Sequence, residues 1–370
     1  MNKNAVMWFV ILLLASLLLV GSVVYISGRV CRFELWRRLF GEGRAPFLYA
    51  ALLVLCVLVA LRLCLGTVNA IVCFLHALSF WLLCDGGAWV VHKLSGRVPG
   101  PYRAGMVALV LTLLWLSYGW YNAHHVRRTV YTLEGEVSEP FRVVGFSDAH
   151  VGAVFNGDAF YAYVERMNAE APDAVVIVGD FVDDDSSLRD MESAVAALGK
   201  LQTKYGVYYV FGNHDSGYLN SRRGYDREKL VECLRANGVC VLEDEIVRLR
   251  GNVCLCGRQD AHSERMSAYE LTEGLSEEDY VILLDHQPTD YGAEMEAGAD
   301  LVLSGHTHGG QLIPIRRLIR ILGNNGRNYG HEKRGNTDFI VSSGIGDWAM
   351  DFKTGCISEY FVVDIAAKPE

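Results

Sequence analysis

Ala299-Asp300-Leu301-Val302-Leu303-Ser304-Gly305-His306-Thr307-His308-Gly309-Gly310-Gln311 is a short apolar run that leads into two histidines and a pair of glycines. The apolar run predicts a buried strand, and the glycines after it predict a tight turn. On an extended or turning backbone, the imidazoles of His306 and His308 can aim at one small volume at the strand's end. Neutral imidazole is the commonest metal ligand. A His-x-His pair alone is a weak signal, because most such pairs are ordinary surface or core histidines. Its weight comes from four upstream strand ends that carry acidic or histidine residues.

Those strands alternate with helix-like segments. Residues 141–146 (FRVVGF) predict a strand ending at Asp148 and His150. Residues 173–178 (DAVVIV) end at Gly179, Asp180 and Asp183, and residues 207–211 (VYYVF) end at Gly212, Asn213, His214 and Asp215. Residues 280–284 (YVILL) end at Asp285 and His286. Helices are expected over 158–169, 191–201 and 227–237, and short strands over 239–242 and 246–256. Residues 129–140 read as a polar lead-in with a short strand. The alternation predicts an α/β core, and such sheets bind ligands at the carboxyl ends of their strands.

Asp148, His150, Asp180, Asn213, His286, His306 and His308 together form a mixed oxygen and nitrogen donor set without thiolates. Such a set fits two divalent ions, Mn, Fe or Zn better than Mg. Taken singly, each has a bland reading: Asp148 as a turn cap, Asn213 in a left-handed turn, His286 as a satisfied core histidine. Their joint placement at successive strand ends is what argues for a site.

The chain is 51% hydrophobic over 370 residues, and the excess sits in its first third. Apolar stretches over about 5–26, 45–65, 67–91 and 104–121 are each long enough to cross a bilayer, and the last ends in Trp115, Tyr118, Trp120 and Tyr121. Residues 1–125 are therefore expected to be a transmembrane region and 126–370 a separate domain. No small-x-small cleavage pattern precedes the basic cluster, so the first stretch reads as an anchor. The first and third loops hold Arg29, Arg32, Arg37, Arg38, Arg44, Lys93, Arg97 and Arg103. Lys3, Arg62, Arg127 and Arg128 lie on the opposite side. The positive-inside rule then puts the C-terminal domain on the extracytoplasmic face, with Arg127 and Arg128 arguing the other way. His76 and Asp85 fall inside the third stretch, and Asp85, beside two glycines, is expected near a membrane face.

A net charge of −9 gives no basic patch for nucleic acid. Among the ten cysteines no Cys-x-x-Cys pair occurs, so zinc-finger and dithiol readings fail. Cys254 and Cys256 read as small apolar side chains on a strand.

Asp148-x-His150, Gly179-Asp180-x-x-Asp183, Gly212-Asn213-His214-Asp215, a lone His286 and Gly305-His306-x-His308 resemble the five ordered blocks of the calcineurin-like metallophosphoesterases. The likeness covers about residues 141–346. The Gly-Gly-Gln ending at Gln311 is similar to the membrane-associated branch of YkuE- and YaeI-like phosphoesterases and transmembrane proteins with a metallophosphoesterase domain. This resemblance implies a four-layer α/β/β/α sandwich. It implies that Asp148, His150 and His308 hold one metal, that Asn213, His286 and His306 hold a second, and that Asp180 bridges them. It implies that a metal-bridging hydroxide attacks phosphorus while His214 stabilises phosphoryl charge or protonates the leaving oxygen. Asp183 and Asp215 are then expected to orient His214 and the turns.

The chain departs from that branch at Ser343, where relatives carry Arg, and at residues 347–351, where Asp347 and Trp348 replace Pro and Arg. These positions are expected to face substrate. Tyr329, Trp348 and Tyr360 are either groove-lining or packing aromatics. Arg316, Arg317 and Arg320 are either a headgroup contact or a solvated face. The implied function is a membrane-anchored hydrolase of a phosphodiester or pyrophosphate, with a lipid-linked substrate such as UDP-2,3-diacylglucosamine in view, although that substrate is made at the cytoplasmic face. The alternative is a membrane sensor or scaffold that binds a ligand without hydrolysing it.

Overall fold

The computed structural model describes residues 3–96, 101–217, 223–313, 317 and 327–368, with side chains described from Ser16 onward. Arg97, Arg316 and Arg320 lie outside the described residues, and Arg317 is exposed. The chain divides into two units, Met1–Ser117 and Tyr118–Glu370.

The first unit contains helices α1 (Lys3–Val30), α2 (Glu34–Phe40), α3 (Arg44–Ser95) and most of α4 (Ala104–His124). Helix α3 has 52 residues, about 78 Å if straight at 1.5 Å per residue, which is more than twice a bilayer's hydrocarbon thickness. Gly66 interrupts it, its φ of 82° and ψ of 170° taking the backbone out of helical space. The stretches read as 45–65 and 67–91 are thus two helices that meet at a kink, where glycine permits a positive φ. Among the described residues, α3 and α4 are long and apolar enough to cross a membrane. The count rises to three if Ser16–Val30 and α2, which bend by 84°, form one span.

Asp85 is bound on three sides. Arg29 Nε lies 2.7 Å from its carboxylate, and the hydroxyls of Tyr25 and Tyr102 donate to it at 2.6 and 2.9 Å. Arg29 is in the last turn of α1 and Tyr102 just precedes α4, so the partners come from helix ends, in keeping with a position near a membrane face. His76 Nδ1 lies 2.8 Å from the Val72 carbonyl of its own helix.

Among the described residues, the second unit holds, beyond the end of α4, twelve strands and five further α-helices. In chain order they are β1 (Arg127–Gly135), β2 (Phe141–Phe146), α5 (Tyr161–Asn168), β3 (Ala174–Val178), α6 (Leu188–Leu198), β4 (Val207–Val210), α7 (Arg227–Ala236), β5 (Val239–Val241), β6 (Glu245–Arg250), β7 (Val253–Gly257), α8 (Ala268–Thr272), β8 (Tyr280–Leu284), α9 (Tyr291–Glu296), β9 (Leu301–Ser304), β10 (Gly330–Arg334), β11 (Thr337–Val341) and β12 (Glu359–Ala367). They form two six-stranded sheets, ordered β1-β12-β2-β3-β4-β5 and β10-β11-β9-β8-β7-β6. Strands β2, β3 and β4 are parallel, as are β7, β8 and β9.

The continuous apolar runs are explained by period-two partition between cores. Val176 and Val178 of β3 join Ile282 and Leu284 of β8 in one core, which draws on both sheets. Val175 and Ile177 pack instead with Val164 of α5, Val195 of α6 and Leu230 of α7. Val281 and Leu283 pack with Leu271 of α8 and Tyr291 of α9. Ser187 caps α6 by accepting from Asp190 N–H, which starts that helix three residues ahead of the predicted 191. The polar lead-in over 129–140 is largely an edge strand, β1. Its alternating exposure reflects one free face, and its long partner β12 lies far away in sequence.

Breaking the Asp85 cluster leaves Arg29 and two tyrosines without their shared acceptor. Asp85→Ala is expected to destabilise the helical unit by about 3 kcal/mol, read as a lower melting temperature of the full chain in detergent. An unchanged melting temperature would show that the cluster contributes nothing.

Candidate metal centre

Each predicted ligand sits just beyond the carboxyl end of a parallel strand. Asp148 and His150 follow β2, Asp180 follows β3, Asn213 and His214 follow β4, His286 follows β8, and His306 and His308 follow β9. The loops continue the pairing of their strands: Asp148 N–H donates to Gly179 O (2.9 Å), and His150 N–H to Asp180 O (3.1 Å). Links between the two sheets close the site. His306 N–H donates to Asp148 Oδ1 (2.9 Å), and His286 Nδ1–H donates to Val178 O (2.8 Å).

The side chains converge in three groups whose ligand atoms lie within 4.8 Å of one another: Asp148, His150 and His308; Asp180, His286 and His306; and His150, Asp183 and His214. Asp180 stands between the first two. Its Oδ2 is 3.1 Å from His286 Nε2 and 3.7 Å from His150 Nε2, while its Oδ1 accepts from His214 N–H (2.8 Å). His150, Asp148, Asp180 and His286 are almost wholly buried.

The donor chemistry of this set fits divalent cations. His286 has Nδ1–H committed to Val178 O, so its Nε2 lone pair faces a carboxylate oxygen without hydrogen-bond geometry. His150 Nε2 and Asn213 Oδ1 are likewise buried without hydrogen-bond partners. Buried lone pairs turned on one another are unfavourable unless a positive charge lies between them. The residues thus fit the divalent metals that the sequence implied.

The same carboxylates act on the proton affinity of the imidazoles. Burial pushes His286 down, but Asp180 and Asp148 outweigh it and raise the imidazole well above its ordinary range. Burial likewise lowers His150, and the Asp183, Asp180 and Asp148 carboxylates more than reverse that. Burial pushes Asp180 up, yet His286, His150 and His214 hold it well below the usual carboxylate range. His306 behaves oppositely: burial and then the neighbouring His286 push it down to about 4.

The supporting acids divide their work. Asp183 bridges His150 Nδ1 (3.2 Å) and His214 Nδ1 (3.1 Å), so it orients His214 as expected, and a ligand candidate as well. Asp215 does not touch His214 among the described contacts. It accepts from Asp180, Phe181, Val182 and Gly212 N–H groups at 2.8 to 3.1 Å and fixes the two turns. Five ligand candidates, Asp148, His150, Asp180, His306 and His308, have positive φ, from 39° to 67°. Such backbone is strained for non-glycine residues and persists only where surroundings enforce it. Gly212 is part of that enforcement, since a Cβ there would overlap the Asp180 carboxylate.

Two expectations about the departures are corrected. Asp347 does not face substrate: it is fully buried, lies 3.2 Å from His308 Nδ1 and accepts from Gln311 Nε2. Ser343 is also buried, its hydroxyl donating to Ile357 O (2.5 Å). Of the three tail aromatics only Trp348 reaches the site, its ring 5.6 Å from that of His214 and its surface 42% exposed. Tyr329 and Tyr360 are tied to Glu359 and Glu170. No spacing rule pointed to Asp347. Its one signal was a lone acid in an apolar and glycine-rich segment.

A model of the calcineurin-like phosphoesterases matches residues 141–310. The chain is 31% identical over 194 residues to the metallophosphoesterase YkoQ of Bacillus subtilis, covering 50% of this chain and 68% of that one. It is 29% identical over 336 residues to the transmembrane protein with metallophosphoesterase domain of Bos taurus, covering 83% and 73%. It is also 29% identical over 300 residues to a metallophosphoesterase of Helicobacter pylori strain J99, covering 76% and 75%.

The pH dependence of stability follows from the raised histidines. His150, His214 and His286 have folded-state pKa values above the ordinary 6.5. Their contribution is therefore complete below about pH 6.5 and is lost as pH rises through the folded values. Metal binds the neutral imidazoles and reverses that slope. Melting temperature in chelator is expected to fall from pH 6 to 9, and with Mn²⁺ to hold or rise. Parallel slopes would rule out a metal in this cluster.

Proposed function

The chain belongs to the calcineurin-like phosphoesterase family, and on that premise we propose that it is a membrane-anchored hydrolase of a phosphodiester or pyrophosphate. It is a metal-dependent phosphoester hydrolase by class, and its finer description is our reading. The observation that carries this reading is Asp180, set between two donor triads that come from both sheets. We assign Asp148, His150 and His308 to one divalent ion, and Asn213, His286 and His306 to a second, with Asp180 shared. Mn, Fe or Zn suits this donor set. When bound, such ions supply Lewis acidity to phosphoryl oxygens and lower the pKa of water.

The chain's own residues do the rest. Asp183 lies beside His214 Nδ1 and favours its protonated form: burial lowers the pKa, but the surrounding carboxylates more than reverse that. His214 thus carries a proton for the leaving oxygen and positive charge for the phosphoryl group. Trp348 presents an apolar ring beside it, which supports a substrate with an apolar or aromatic portion next to phosphorus and, among these, a lipid-linked one. Burial of Asp148, Asp180 and His286 keeps bulk water from the donor set.

Residues 126–370 form the proposed catalytic domain, and its three cores support an α/β/β/α layering. The two arms of α3, with α1 and α4, support four membrane passages within residues 1–125. With the basic loops taken as cytoplasmic, the catalytic domain then lies on the extracytoplasmic side.

With Mn²⁺, the full chain is expected to hydrolyse bis-p-nitrophenyl phosphate and to stop on chelation. Asp180→Asn is expected to lower turnover by about 10³-fold or more, a loss of several kcal/mol of charge stabilisation. His214→Ala is expected to lower kcat by about 10²–10⁴-fold with little change in metal content. An inert Mn²⁺-loaded protein would favour the sensor reading. A C-terminal reporter active only in the cytoplasm would overturn the orientation.

A further inference from the structure

The loop from Phe352 to Ser358 is gripped from two directions. On one, it takes up the end of α4, whose residues from Tyr118 belong to the second unit. Lys353 N–H donates to Gly119 O (2.9 Å) and Ser358 N–H to Asn122 O (3.2 Å). Asn122 Nδ2 donates to Lys353 O (3.1 Å), and Ser358 Oγ to Ala123 O (3.0 Å). The last carbonyls of a helix have no partner within it, and here the loop satisfies two of them, those of Asn122 and Ala123. Gly119 permits the approach, since a Cβ there would lie 2.7 Å from Thr354 Cγ2. On the other, the loop holds the turn that carries His308: Gly355 N–H donates to Gln311 O (2.7 Å), and Cys356 Sγ to His308 O (3.0 Å).

Lys353 joins the two. It is fully buried, which a lysine accepts only when its charge is matched. Its ammonium has three protons, and they go to Ser343 O (2.7 Å), Gly346 O (3.1 Å) and Ser358 Oγ (3.4 Å). Its charge faces Asp347 Oδ2 across 4.0 Å, and Asp347 is the carboxylate beside His308 Nδ1. Asp347 lies within ion-pair distance of His308 Nδ1 but outside hydrogen-bond geometry, and a carboxylate that near one imidazole nitrogen favours the proton there and leaves the other nitrogen for metal. His308 Nε2 accordingly turns toward Asp148, 3.6 Å away.

We propose that Lys353 is a positioning residue for the metal centre, joining Asn122 at the end of α4 to His308 through Asp347. The inference rests on the two-ion reading above. It makes the ion held by Asp148, His150 and His308 depend on where the last apolar helix ends. The ion held by Asn213, His286 and His306 does not share that dependence.

The test uses the full chain in detergent, with Mn²⁺ occupancy titrated against a chelator for wild type, Lys353→Met, Asn122→Ala and Asp347→Asn. Metal-free melting temperatures are recorded alongside. Wild type is expected to bind two ions. Each variant should keep one at wild-type affinity and hold the other 10- to 100-fold more weakly. Lys353→Met combined with Asp347→Asn should be no weaker than Asp347→Asn alone, because both act through one chain of contacts. Folded Lys353→Met that binds both ions as wild type does, or loses both in parallel, overturns the inference. Should Lys353→Met fail to fold, the same readout on Asn122→Ala decides. A wild type that takes up no second ion overturns the two-ion reading itself, and this inference with it.

Discussion

Asp148 and Asp180 are buried among imidazoles whose nitrogens turn lone pairs toward them. Bringing that many acceptors together without water is unfavourable by several kcal/mol per charge unless cations accompany them. Much of the second unit can be understood as a frame that holds this arrangement in place. The parallel strands aim their carboxyl ends at one edge. Two stacked sheets double the number of strand ends that reach it, and links such as His306 N–H to Asp148 keep the two sets in register. The same carboxylates raise the affinity of His150 and His286 for protons.

The frame also accounts for the backbone at the site. Positive φ at Asp148, Asp180, His306 and His308 is unfavourable in isolation. Those conformations turn the chain sharply at the strand ends. Asp215, with four backbone N–H groups on its carboxylate, opposes the strain at Asp180 directly. Burial first, and then the nearby Asp180, push Asp215 up to about 6; the N–H groups of Gly212 and Val182 draw it back down.

The strands that carry ligands were legible because each is an apolar run that stops at a polar block. That pattern places both the element and its functional end. The strands that carry none were harder. Residues 359–367 were not read as a strand, although β12 is the central partner of β1 and β2, because their pairing is long-range. Asp347 was misplaced for a related reason. Its partners, His308 and Lys353, are brought together by tertiary contacts that no local spacing encodes. The helix break at Gly66 was legible as a boundary between two apolar stretches. The orientation of Asp85 toward Arg29 needed both helices in view.

The position of β12 bears on how the molecule is made. It lies between β1 and β2, yet it follows all the other described strands in the chain. The first sheet therefore stays open while the nascent chain lengthens, and β1 waits for a neighbour that arrives after every ligand-bearing loop has emerged. The apolar helices precede all of this and can meet the translocon long before the sheet can close. In the membrane-anchored reading proposed above, the donor set would thus be completed only after the apolar helices have been made.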